Sequence, residues 1–127
     1  MSEFVHLHLH SEFSLADGVL KVKDLVRRTA EAGVPAVALT DIDNLFALIK
    51  FYEACLSAGV KPILGCELHV REAGNDKSVA ERIVVLAASS EGYANLRRLN
   101  SLSYTDTDER ATLYDNVVFA HSEDLLV

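Results

Sequence analysis

The chain has 127 residues, of which 50% are hydrophobic and 24% are charged, and its formal net charge is −7. This length fits one domain or a part of one, and the apolar content is too high for a mostly disordered chain. The acidic balance argues against a main nucleic-acid contact, which needs clustered Lys and Arg, so Arg97 and Arg98 are interpreted as a solvated helix face.

Targeting and redox signals are weak. The N-terminal stretch MSEFVHLH lacks the basic start and apolar middle of a signal peptide, and no apolar run is long enough to cross a bilayer. We therefore expect a cytoplasmic protein without membrane contact. Cys55 and Cys66 lie in apolar segments without a CxxC pair, which predicts two buried, reduced thiols.

The first predicted element is a strand from Phe4 to His10, with the sequence FVHLHLH. It contains His6, His8 and His10, three of the five histidines in the chain. On a strand with a side-chain period of two, these rings share one face, where two imidazoles can point at one metal ion. The same pattern fits a half-buried strand with a polar face, and the spacing alone leaves both interpretations open.

Predicted helices and strands alternate along the rest of the chain. Strands that alternate with helices of this length predict βαβ units and a parallel sheet, so the fold class is α/β. About four such units are too few for an eight-stranded barrel of ~250 residues, which leaves a small open sheet or part of a larger barrel. In chain order the elements are a helix in VKDLVRRTAEAG that ends at Gly33, the strand PAVALT, a helix in LFALIKFYEACLSAG that is capped by Asn44 and ends at Gly59, the strand KPILGCELHV, the polar loop REAGNDKSVAE, the strand RIVVLAA, a helix that starts at Ser90, the irregular stretch TDTDERATLYDN, a short strand Val117 to Phe119, and the start of another strand at Leu125 to Val127.

Candidate ligands follow the predicted strands. Active sites of parallel α/β folds lie at the C-terminal ends of the strands, so these side chains are expected to lie close together. The candidates are His8 and His10 at the end of the first strand, Asp41 and Asp43 after the second, and Glu67 and His69 near the end of the third.

Each candidate also has a structural explanation. Asp43 fits a helix N-terminal cap better than a ligand. Glu67 follows the buried run PILGC, and a buried carboxylate is costly unless it is paired or bound to metal, which favours a ligand. His69 fits either a site residue or a surface histidine, and the isolated His121 is interpreted as a surface or core histidine.

Several motifs in order resemble the PHP (polymerase and histidinol phosphatase) family, and most of all the PHP domain at the N-terminus of bacterial replicative DNA polymerase III alpha subunits. They are His8-Leu9-His10-Ser11, Ser14-Leu15-Ala16-Asp17-Gly18, Ala38-Leu39-Thr40-Asp41, Gly65-Cys66-Glu67-Leu68 and the GYANL stretch from Gly92 to Leu96. The resemblance implies a distorted, roughly seven-stranded β/α barrel. Residues 1–127 would be the N-terminal portion of that domain, about the first half of the barrel, without the polymerase core.

The resemblance also implies a metal site with an incomplete ligand set. The matching ligand positions are His8, His10, Asp17 and Glu67. Ile42 stands where active members have the histidine of a TDH motif, and Arg82 stands where another ligand histidine precedes a strand. Isoleucine cannot ligate, and arginine carries a fixed charge that opposes a nearby cation. Asp43, one residue after Ile42, is a poor replacement. Any bound group would be a divalent metal such as zinc, manganese or magnesium.

The missing ligands imply a structural role. In alpha subunits of this kind, the PHP domain is implied to be a platform that holds a separate proofreading exonuclease subunit within the polymerase holoenzyme, and this chain alone is expected to be inactive. The alternatives are an active metal-dependent phosphoesterase or 3′–5′ exonuclease, and a small βα binding module. A half-barrel leaves sheet edges and apolar faces uncovered, so the isolated chain is expected to self-associate or to need a partner.

Overall fold

The computed structural model describes residues 4–11, 21–75, 79–105 and 112–127. These residues form one mixed sheet in the order β1-β2-β3-β5, with β4 paired to β2. The elements are α1 (Val22–Glu31), β1 (Ala36–Ile42), α2 (Leu48–Ala58), β2 (Lys61–Arg71), β3 (Glu81–Ala87), α3 (Ser90–Thr105), β4 (Thr112–Tyr114), α4 (Asp115–Ala120) and β5 (Leu125–Leu126).

The first half of the described chain forms the predicted strand–helix–strand unit. β1 is buried along almost its whole length and pairs in parallel with β2, from Ala36 opposite Lys61 to Ile42 opposite Glu67. The preceding α1 and the connecting α2 both end where glycine was predicted to stop them. Gly33 and Gly59 have φ angles of 70° and 74°, the left-handed conformation that glycine adopts without strain.

The second half departs from the predicted all-parallel sheet, because β2 and β3 pair antiparallel. Their connection, residues 72–80, is shorter than the roughly dozen residues that a parallel crossover needs, so the chain turns back as a hairpin. The hairpin register places Arg82 directly opposite His69. As a result, β3 brings a cationic side chain to the C-terminal end of β2.

The predicted N-terminal strand is not regular. The N–H groups of Ala38 and Thr40, two residues apart on β1, donate to the carbonyls of His6 and Leu9, which are three residues apart. The extra residue breaks the period of two, as in a β-bulge. The expected apolar face is lost, and the Leu7 side chain is exposed whereas Leu9 packs on the core.

The C-terminal part contains two wrong predictions and one confirmed prediction. The segment predicted as a strand at Val117 to Phe119 lies in α4, where a helical turn lets Val118 pack into the core. The preceding residues, predicted as irregular, contain the short strand β4. The strand predicted to begin at Leu125 forms as β5, which pairs antiparallel with β3.

Two apolar clusters stabilise the sheet. One joins α1, α2 and β1 around the fully buried Phe51, and the other joins β2, β3 and α3 around Leu96 and Leu99. Each cluster contains one of the two cysteines, and both are free and buried, as predicted.

Among the helices of the described segments, none combines the length and apolar character needed to cross a membrane.

Candidate metal centre

Three of the four predicted ligands meet where β1 ends, beside Glu67 in the C-terminal half of β2. Glu67 is buried, with a side chain 6% exposed, and each of its carboxylate oxygens faces one imidazole. His8 Nε2 lies 3.1 Å from Oε1, and His10 Nε2 lies 2.7 Å from Oε2. The three ligand atoms lie within 4.8 Å of one another. The fourth predicted ligand, Asp17, lies outside the described residues.

A second carboxylate anchors Ser11, the residue that directly follows His10. Asp41 lies on β1 and is buried, and both of its oxygens accept hydrogen bonds from Ser11. The Ser11 backbone N–H donates to Oδ1 at 2.5 Å, and its hydroxyl donates to Oδ2 at 2.6 Å. Sequence reasoning listed Asp41 only as a site candidate and missed this anchor. Two sequence features could have indicated this contact: Ser11 directly follows His10, and Asp41 directly follows the predicted strand PAVALT.

Both departures from the PHP pattern surround Glu67. Ile42 is the residue opposite Glu67 in the parallel register of β1 and β2, and its side chain offers no donor atom. Arg82 reaches over from β3, with Nη1 3.7 Å from Glu67 Oε2. The Glu67 carboxylate therefore already has a permanently charged partner next to the two imidazoles.

His69 and Asp43 form a separate pair beside this cluster. The ring nitrogen Nδ1 of His69 lies 2.5 Å from Asp43 Oδ2, and the backbone N–H of His69 donates to Asp43 Oδ1 at 3.3 Å. Burial raises the pKa of Asp43 above its ordinary value, and the neighbouring His69 opposes that rise. His69 therefore faces Asp43 and is not part of the group around Glu67.

The interpretation of Asp43 as a helix cap is wrong. α2 begins five residues later, at Leu48, and Asp43 has a φ angle of 54°. This left-handed conformation is held from α3, because Asn100 Nδ2 and the Tyr104 hydroxyl both donate to the Asp43 carbonyl, at 2.9 and 2.6 Å. The predicted cap Asn44 instead closes a turn, in which its Oδ1 accepts the N–H of Phe46.

Comparison with known proteins identifies the family. The model of the PHP domain family matches residues 6–127. The chain belongs to the PHP family. Among curated relatives, the DNA polymerase III alpha subunit of Pseudomonas aeruginosa is 43% identical over 103 residues, and that of Campylobacter jejuni is 44% identical over 108 residues. These matches cover 81% and 82% of this chain but only 9% of each relative.

A solved structure supports the fold. An amidohydrolase from Chromobacterium violaceum, whose structure contains sulfate and no metal, matches with a TM-score of 0.54 at 26% identity. The match covers 77% of this chain and 34% of that protein. The predicted α/β fold class and the resemblance to PHP domains of polymerase alpha subunits are thus both confirmed.

The donor set of this PHP chain fits a transition metal in part. Two imidazole nitrogens and one carboxylate oxygen are ligands that zinc and related divalent metals accept, and the group around Glu67 could hold such an ion. His8 is 53% exposed, so solvent can reach the group. Arg82 pairs with the same carboxylate, and its positive charge repels a cation bound there. The three donors therefore favour metal binding, and the Arg82 guanidinium opposes it.

Proposed function

We propose that this chain is the PHP segment of a bacterial DNA polymerase III alpha subunit and that it is a structural platform in that enzyme. The identity of more than 40% to two alpha subunits supports the assignment. In this proposal the parent protein carries out DNA-directed DNA synthesis in the cytoplasm. Residues 1–127 form the N-terminal portion of its PHP domain and have no catalytic activity alone.

The contact between Arg82 and Glu67 carries the proposal. A metal ion bound by His8, His10 and Glu67 would place a divalent charge next to the guanidinium, 3.7 Å from the shared carboxylate. The guanidinium cannot lose its proton to relieve that repulsion. Glu67 is therefore best explained as the partner of Arg82 and the two histidines, which together fasten the N-terminal segment to the sheet.

Metal content tests this proposal directly. We expect the purified chain, dialysed against zinc and then against metal-free buffer, to retain much less than one metal ion per chain by elemental analysis. The Ile42→His/Arg82→His variant restores two ligands and removes the opposing charge, so it should retain close to one ion or more. Adding His8→Ala/Glu67→Ala to that variant should abolish the retention, which assigns the metal to this site.

The alternative, an active metal-dependent phosphoesterase or 3′–5′ exonuclease, is favoured by one observation. His8, His10 and Glu67 still meet in a geometry that could hold a metal. Stoichiometric metal in the unmodified chain, lost in His8→Ala/Glu67→Ala, would overturn the platform proposal in favour of this one. Hydrolysis of a phosphodiester substrate with the same dependence on these two residues would do the same.

The partners in this proposal are the proofreading exonuclease subunit and the rest of the polymerase holoenzyme. An apolar stripe is exposed on and just before α2, opposite the side of the helix that packs on the core. Since a helix that is apolar on both of these sides is normally buried, the stripe supports the proposal that this surface is covered in an assembly. In the isolated chain, we propose that a second copy covers the stripe. The stripe consists of Phe46, Ile49, Tyr52 and Leu56, which are 74%, 69%, 46% and 58% exposed.

Light scattering over a range of concentrations tests this self-association. We expect dimers or larger species that dissociate on dilution, and Ile49→Ser/Leu56→Ser should shift the equilibrium to monomer. Arg28→Ser/Glu31→Ser, two exposed positions on α1 rather than on the stripe, is the control and should leave association unchanged. A monomer at high concentration in the unmodified chain would contradict the proposal.

A further inference from the structure

A groove between α3 and the end of α4 is lined by cationic side chains. It has a volume of about 530 Å³. Arg97 and Arg98 on α3 line one side, and His121, directly after α4, also lines it, together with the Ser101 hydroxyl. Among the described residues that line this groove, none carries a carboxylate.

This local charge is opposite to that of the whole molecule. The chain has 19 Asp and Glu against 12 Lys and Arg, so a groove without acidic lining departs from the average surface. A second basic groove beside α1 differs in this respect, because Glu53 lies among its lysines Lys21, Lys23 and Lys50. Of these two grooves, the α3–α4 groove is therefore the one whose basic side chains have no carboxylate among the lining residues.

Contacts hold these side chains without neutralising them. The Arg97 guanidinium lies 5.4 Å above the ring of Tyr93, and Arg98 donates to the side-chain oxygen of Asn95 at 3.4 Å. His121 Nδ1–H donates to the Val117 carbonyl at 3.0 Å, which leaves Nε2 as its second polar atom. All three contacts are with neutral groups, so the positive charge of both guanidinium groups is retained.

We propose that the α3–α4 groove binds a phosphate group. Guanidinium groups bind phosphate oxygens through paired, charge-assisted hydrogen bonds, and the Ser101 hydroxyl adds a further donor. The volume lies within the range of pockets that hold small ligands. A phosphodiester of a DNA strand and the phosphates of a free nucleotide share this chemistry. The inference is independent of the proposed function, since it involves neither the group around Glu67 nor the stripe on α2.

Binding of two probes tests the proposal. Fluorescence anisotropy would measure the affinity of the 127-residue chain for a labelled 20-nucleotide oligo(dT) at low salt. Calorimetry would measure its affinity for inorganic pyrophosphate under the same conditions. Arg97→Gln/Arg98→Gln should weaken binding by about tenfold or more, as expected for loss of charge-assisted hydrogen bonds. For oligo(dT), the slope of log affinity against log salt should become shallower by roughly 1.4, about 0.7 for each lost contact with a single strand.

Lys21→Gln/Lys23→Gln is the matched control, because it removes the same two charges from the other basic groove. It should change the affinity less than threefold, and circular dichroism should show both variants folded. Binding of oligo(dT) alone would support the proposal with a DNA strand as the source of the phosphate, and binding of both probes would support it with free phosphates as well. Equal losses in the two variants, an unchanged affinity in the arginine variant, or no binding of either probe would overturn it.

Discussion

Two carboxylates on neighbouring strands fasten the same N-terminal segment, but they do so with different chemistry. Asp41 on β1 accepts hydrogen bonds from the backbone N–H and from the hydroxyl of Ser11, in a buried position. Glu67 on β2 faces two imidazoles and one guanidinium at a position that opens to solvent through His8. One contact is made of neutral donors, and the other of groups that can carry positive charge.

The difference separates the fold from the chemistry of the site. Because the Ser11 contact holds the backbone just after His10, we expect the histidines to stay beside Glu67 whether a metal ion or Arg82 balances its charge. A chain built this way tolerates isoleucine at position 42 and arginine at position 82 without losing the path of residues 8–11. We therefore expect the arrangement of His8, His10 and Glu67 to be the same whether or not a metal ion is bound.

The largest effect is expected from Asp41→Ala. The substitution removes two hydrogen bonds that Asp41 accepts from Ser11 in a buried position, and it creates a cavity. We expect it to lower the free energy of unfolding by about 3 kcal/mol. Urea denaturation followed by circular dichroism measures this, and Asp41→Asn, which keeps one acceptor oxygen, should cost about half as much. A loss below about 1 kcal/mol would show that the Ser11 contact does not hold the segment.

A smaller effect is expected from Glu67→Gln. The amide keeps the shape and one acceptor oxygen but loses the charge that His8, His10 and Arg82 face. Since His8 and Arg82 are about half exposed, solvent replaces part of what is lost, and we expect a decrease of about 1 kcal/mol in the free energy of unfolding. If this variant is as unstable as Asp41→Ala, the two contacts do not differ in the way proposed.

Arg82→Gln should have a still smaller effect on stability. The guanidinium is 48% exposed and 3.7 Å from Glu67, so its ion pair contributes less than about 1 kcal/mol, and high salt should reduce that contribution. Arg27→Gln is the matched control, because it removes an exposed pair with Asp24 on α1 far from the site. A larger salt-dependent loss for Arg82 than for Arg27 would show that burial of Glu67 strengthens the pair.

The sequence alone predicted the parts of the fold that depend on local pattern. The glycine ends of α1 and α2, the buried β1 and the convergence of His8, His10 and Glu67 follow from periodicity and from the position of active sites in α/β folds. The predictions were wrong where tertiary contacts determine the secondary structure. A bulge against β1 disrupts the alternation of FVHLHLH, and the apolar run at Val117 is a helix because Val118 packs against the second core cluster.

The site shows the same division. Asp43 has the sequence context of a helix cap, but its role is set by partners at Asn100 and Tyr104, more than fifty residues later in the chain. Arg82 was predicted to oppose a metal, yet its contact with Glu67 depends on the antiparallel hairpin, which the expected parallel sheet excluded. Contacts between distant segments leave no periodic signal in a single sequence.

The smallest effect is expected on the reactivity of the two cysteines. Their modification rates distinguish local opening around Asp41 from unfolding of the whole domain. Cys66 is opposite Asp41 in the β1–β2 register, its thiol donates to the Asp41 carbonyl at 3.3 Å, and burial raises its pKa. Burial also raises the pKa of Cys55, to about 11, in the other core cluster. Since a raised pKa lowers the thiolate fraction, iodoacetamide at pH 8.5 should modify both more slowly than a free cysteine.

The two thiols then report on different regions in the same sample. In Asp41→Ala we expect the rate of Cys66 modification, measured by mass spectrometry of peptides, to rise severalfold more than the rate of Cys55. Glu67→Gln should leave both rates close to those of the unmodified chain. Equal rises at both cysteines in Asp41→Ala would mean that the whole domain unfolds, and would remove the basis for treating the Ser11 contact as a local anchor of the site.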